Sequence, residues 1–115
     1  MTINITGFDI LTREAIIKEQ NELLKNIRYS LIHNINLTLT YKYVKKPIEI
    51  KFNKEFFSYN DEIYAAEELV VCAILEVLES YIDKDWLVKY TKNEYSYVLT
   101  FLHKSDQNIT TKYNY

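Results

Sequence analysis

Nucleophiles, bases and metal ligands are scarce in this chain of 115 residues, which holds one cysteine, Cys72, and two histidines, His33 and His103. On a helical wheel Cys72 falls inside an acidic face, one turn from both Glu68 and Glu76. Those carboxylates disfavour the thiolate, the nucleophilic and metal-binding form, so the pattern reads as an inert, semi-buried thiol. His33 stands at the end of a predicted helix, where a protonated imidazole suits the macrodipole. His103 ends the last predicted strand. Neither belongs to an HExxH or paired Cys/His spacing, so the expectation is no metal site and no cofactor. A single glycine excludes P-loops, dinucleotide fingerprints and nucleophile elbows in standard form. The carboxylate best placed for acid–base work is Glu67, which the wheel sets beside Ile63, Val70 and Ile74 on the apolar side of the second predicted helix. Burial there would raise its pKa, as a general acid requires. The competing reading lays its stem along the core edge with the head in water or on a lysine.

Surfaces offer more than catalytic spacings do. The wet side of the second predicted helix carries Asp61, Glu62, Glu68, Glu76, Glu79 and Asp83, with no basic residue until Lys84. Glu76, Glu79 and Asp83 sit toward its C-terminal end, where negative charge is unfavourable, so a cationic partner outside the chain is expected for this face. In the last predicted hairpin Trp86, Val88, Tyr90, Tyr95, Tyr97, Leu99 and Phe101 share one alternation class. Facing the helices, this class is core, and that is the preferred reading. Facing out, Trp86, Tyr90, Tyr95 and Tyr97 form an aromatic surface for stacked bases or a protein. The basic cluster is Lys42, Lys45, Lys46, Lys51 and Lys54, which also serves to keep an edge strand from pairing with other chains.

The elements that position these residues follow from periodicity. Alternation at Thr2–Thr6 predicts a short strand, and Thr12 is an N-cap for a helix over residues 13–32. Its stripe is Ile16, Ile17, Leu23, Leu24, Ile27 and Leu31, with Gln20 the dissonant member. Ile35, Leu37, Leu39, Tyr41 and Tyr43 alternate with polar residues. After Val44–Pro47 the alternation resumes at Ile48, Ile50 and Phe52, which predicts a β-hairpin, with Pro47 at the start of an edge strand. Ser58, Asn60 and Asp61 are capping candidates for a helix over 61–82, and strands over 86–91 and 94–103 follow. The predicted order β-α-β-β-α-β-β gives an α+β two-layer sandwich, a mainly antiparallel sheet with two helices on one face. Residues 1–104 form one domain and 105–115 a polar tail.

A net charge of −2 and 26% charged residues describe an ordinary globular chain, not a strongly basic nucleic-acid binder. With one cysteine, no signal-like N-terminus and no run of eighteen apolar residues, a cytoplasmic protein without membrane contact is expected. Ile, Lys, Asn and Tyr make up 47 of the 115 residues and Gly, Ala, Pro and Arg only 8, the signature of A/T-rich codons. These features together lead us to expect a small non-enzymatic protein-binding module. It would be a phage or mobile-element accessory protein that inhibits or regulates a host or defence protein, presenting Glu68, Glu76, Glu79 and Asp83 to a basic surface. A nucleic-acid-binding module using the aromatic hairpin and Lys cluster is the first alternative, a small enzyme with a carboxylate/His centre the second. Self-association also remains open, because Val98 and Leu102 give the last strand apolar residues on both faces.

Overall fold

The computed structural model describes residues 10–58 and 63–107. Helix α1 spans Arg13–Lys42, strand β1 Ile48–Asn53, helix α2 Glu67–Ile82, strand β2 Trp86–Lys92 and strand β3 Ser96–His103, with 3₁₀ turns at Lys54–Phe57 and Lys104–Asp106. The sheet is antiparallel in the order β1-β3-β2. Both helices pack on one face of it, so the α+β class holds. The predicted strand at Thr2–Thr6 lies outside the described residues.

The largest departure from the expected order is at Ile35–Tyr43, which continues α1 instead of forming a strand. A strict alternation contains its own helical subset, because every second alternating position is four residues on. Ile27, Leu31 and Ile35 make one buried line, and Leu39 packs partly against the same cluster. Leu37 and Tyr41, which a strand would have buried, face solvent at 48% and 78% exposure. No Gly or Pro interrupts residues 31–43, and a helix already nucleated extends at little cost per residue. Thr38 and Thr40 return their hydroxyls to the carbonyls of Asn34 and Asn36 at 2.9 and 2.7 Å. The helix ends at Lys42, with Tyr43 already extended, and Lys45 then turns left-handed (φ 64°) ahead of Pro47. At its other end Thr12 caps it, the hydroxyl accepting from the Ala15 N–H at 3.1 Å.

Three further boundaries move. The second helix begins at Glu67 rather than at residue 61, because Ser58 bridges Tyr64 and the Ala65 N–H donates to the Phe57 carbonyl, holding the approach extended. Ser58 does not cap it, and Asn60 and Asp61 lie outside the described residues. Tyr95 sits in the β2–β3 turn, not in β3, and is 71% exposed. The chain after β3 stays packed at first: Asp106 is buried and accepts a hydrogen bond from the Tyr43 hydroxyl, which itself accepts from the His103 N–H at 3.0 Å. The end of α1 is thereby tied to the end of β3.

The core fills the space between the two helices and the inner sheet face. Residues matched across the strands point the same way, so Ile50, Leu99 and Tyr90 form one inner row and Ile48, Phe101 and Val88 the next. From α2 come Val70, Ala73, Ile74, Val77, Leu78 and Tyr81. β3 is the central strand, so Leu99 and Phe101 are wholly buried while the outer face keeps Val98 and Leu102 half-covered. β1 is an edge strand entered from Pro47, as its proline requires.

Two measurements check this architecture. Thr40 is exposed and helical, so Thr40→Ala is expected to raise stability by about 0.5 kcal/mol, the helix-propensity difference. A strand would give the opposite sign, and a urea melt distinguishes them. Burial pushes the Tyr81 phenol from 10.0 to about 12, where it donates to Asn36 Oδ1 at 2.6 Å. The unfolded chain therefore releases this proton near its ordinary pKa while the folded chain retains it. The contribution is complete below pH 10 and is lost as pH rises toward 12. Stability measured by urea melts across that range is expected to fall, with about 2 kcal/mol of the loss removed by Tyr81→Phe.

Candidate functional site

The outer side of α2 is organised by helical pitch. Advancing 100° per residue from Glu67, the buried residues centre near 300°, so the solvent-facing centre lies near 120°. Glu68, Glu79, Cys72 and Asp83 occupy that centre. Leu75 and Ile82 flank it on one side at 48% and 47% exposure, with half-buried Val71 beyond them. Glu76 flanks it on the other. The apolar flank lies toward β2, because Glu67, next around the wheel, reaches Lys92 of β2 at 3.1 Å. The Glu76 flank lies toward α1, because Arg28 donates to Glu76 at 2.9 Å. The face is thus a carboxylate band bordered by exposed aliphatic side chains.

Glu76 accordingly has a cation within the chain, a partnership that a wheel of α2 alone does not reveal. Arg28 sits beside the Ile27–Leu31 line, and only helix–helix packing brings it across. Glu68, Glu79 and Asp83 have no ion-pair partner among the described residues. Asp61 and Glu62 lie outside them.

Glu67 takes the second of its two readings: its side chain is 58% exposed and paired with Lys92 rather than buried. Its charge raises the pKa of Lys92 through their hydrogen bond. Cys72 is exposed rather than semi-buried, and its thiol donates to Glu76 Oε1 at 3.1 Å. That bond, ahead of burial, pushes the thiol pKa up. What disfavours the thiolate is thus the carboxylate first and burial second.

The aromatic set divides. Tyr97 is buried, Trp86 and Tyr90 are half-buried against the core, and Tyr95 alone is exposed. Trp86, Tyr90 and Tyr97 therefore form no outward stacking surface, since their alternation class faces the helices. Trp86 instead meets Tyr43, Phe101 and His103 edge-on, with ring centroids at 5.0, 6.3 and 5.1 Å. His103 Nδ1 accepts the Ser105 N–H at 3.1 Å. His33 is exposed in the middle of α1, so the dipole account of it lapses with the longer helix. Glu67, His33 and His103 are not drawn into one centre, and among the described residues no group of three or more His, Cys, Asp or Glu could hold a metal. The lysines spread along the end of α1, the following turn, β1 and the first 3₁₀ turn, where the Lys54 ammonium lies 5.6 Å from the centre of the Tyr64 ring. No described helix is long and apolar enough to cross a membrane.

Comparison with protein-family models, with curated proteins and with solved structures finds no match.

The Cys72–Glu76 contact is open to a direct test. Glu76→Ala removes the acceptor and its charge while leaving Arg28 nearby, so the thiol pKa should fall. Alkylation of Cys72 by iodoacetamide near pH 8 is then expected to quicken severalfold. An unchanged rate would show that the carboxylate does not control the thiol.

Proposed function

We propose that the chain is a small protein-binding module that presents the α2 band to a partner with a basic surface. The observation that carries this reading is the adjacency on one helix face of three carboxylates, Glu68, Glu79 and Asp83, with the half-exposed Leu75 and Ile82. Charge steers encounter and excludes wrong partners, while desolvated aliphatic surface holds the complex. Neither feature alone makes a surface of this kind. Arg28 neutralises Glu76 and so places the weight on the remaining three carboxylates.

The A/T-rich codon signature supports a phage or mobile-element accessory protein, and the acidic band suits inhibition or regulation of a host or defence protein through a basic site. The nucleic-acid reading loses most of its stacking platform, because Trp86, Tyr90 and Tyr97 turn toward the core.

The test is a paired capture from nuclease-treated and untreated lysate of the native host, using the wild-type chain and a Glu79→Lys/Asp83→Lys variant as baits. One protein retained stoichiometrically by the wild type and reduced with the variant is expected. Its association rate at low salt should fall by about tenfold or more in the variant, with dissociation less affected. Equal binding of the variant at low salt would sink the acidic-band reading. Recovery that depends on intact nucleic acid would favour the rival.

A further inference from the structure

A cavity of about 190 Å³ lies where the first 3₁₀ turn, the start of α2 and the β2–β3 turn meet. Phe57 and Val70 form its apolar wall, and Lys54, Glu67, Lys92 and Tyr97 are among its polar lining. Tyr97 is only 5% exposed, yet its hydroxyl has no hydrogen-bond partner among the described residues. Buried tyrosine hydroxyls ordinarily find a partner. Among the described residues no buried side-chain polar atom is sealed off without one, so the Tyr97 hydroxyl opens into the cavity that its side chain lines. Its pKa is raised, first by burial and then by the Glu67 charge.

The charges around the cavity are balanced. Lys54 and Lys92 stand against Glu67 and Glu94. The Lys92–Glu67 pair, at 3.1 Å with side chains 36% and 58% exposed, is of the solvent-accessible kind that contributes little and rearranges at low cost. A purely anionic ligand would meet the carboxylates, and a purely cationic one the ammonium groups. A molecule carrying both charges uses both sets. The start of α2 adds direction: its N-cap, Ala66, offers no capping side chain, and Ala65, Glu67 and Val70 line the cavity, so the positive end of the helix lies beside it.

We propose that this cavity binds a small zwitterion of the α-amino-acid class. The ligand carboxylate takes the Tyr97 O–H and the Lys92 ammonium beside the helix start, and the ammonium takes Glu67 and the aromatic face of Tyr95. Size agrees, since a cavity of about 150 Å³ admits benzene, so this one takes a ligand of about six to ten non-hydrogen atoms. The site is separate from the α2 band and does not depend on the protein-binding reading.

The experiment titrates the full chain with each of the twenty free L-amino acids, followed by calorimetry and by backbone-amide NMR shifts. For leucine the controls are isoamylamine and isocaproate, which each lack one charge, and equivalent pairs serve the other amino acids. At least one amino acid is expected to move the amides of residues 54–57 and 92–97, with both singly charged analogues about tenfold weaker or worse. Tyr97→Phe keeps the ring and should weaken binding by about tenfold. Glu67→Gln, at an exposed position, should weaken it as well and serves if the Tyr97 variant fails to fold. The proposal is overturned if no amino acid moves these amides at about 10 mM, well above the weak end of specific binding. It is equally overturned if a singly charged analogue binds as tightly, or if a folded variant binds unchanged.

Discussion

The line Ile27–Leu31–Ile35 is the contact on which the rest of the molecule depends. α1 has 30 residues, about 45 Å of helix, and these three are its buried residues. Spaced four apart, they form a straight ridge against α2 and the inner sheet face. The ridge keeps the helix intact well past the point where its sequence begins to alternate. Once Ile35 is buried, Asn36 is in place to accept the Tyr81 hydroxyl, and Tyr43 is in place to meet Asp106 and the His103 N–H. Hydrogen bonds at two places along α1 thus inherit their geometry from one apolar line. Ile16, earlier in the same helix, stays 44% exposed, so the ridge and not the helix as a whole does the holding.

How legible this was depends on whether a residue's role is local. The Thr12 cap, the buried character of α2 and the alternation of β2 and β3 are set by neighbours within a few positions, and all could be read directly. Residues 35–43 could not, because period two and period four coincide at Ile35, Leu39 and Tyr43. Only the ridge on the preceding turns decides between them, and it decides against the predicted hairpin. Asp106 was equally opaque, since a polar residue after the last strand gives no sign that a tyrosine 63 residues earlier will bury it. The outer face of α2 was legible as a band, but its partner Arg28 was not, being 48 residues away.

Those long-range partners change what the charges mean. A wheel counts Glu76 with its acidic neighbours, whereas packing assigns it to Arg28 and to the Cys72 thiol. Glu67 is likewise given to Lys92, and Asp85 approaches Lys104 at 3.9 Å. Exposed pairs of this kind contribute little to stability. Their larger effect is selective, since they remove particular carboxylates from the field a partner would meet. Charge left after internal pairing is therefore the better guide to recognition than charge counted along the sequence.

The consecutive residues Glu67 and Glu68 show how far this selection goes. One step of 100° separates them, and that step carries Glu67 to the cavity side beside Lys92 while Glu68 joins the solvent-facing band. Two adjacent carboxylates of the same type thus belong to different surfaces with different chemistry. One surface is a concave site balanced in charge beside a helix start without a capping side chain; the other is convex, acidic and edged with aliphatic side chains. The first is the site proposed for a small molecule and the second the one proposed for a protein. Because the helix backbone fixes the angle between them, occupation of the cavity need not disturb the band unless it shifts the start of α2. That helix start, where Ala66 offers no capping side chain, is where the two surfaces could be coupled.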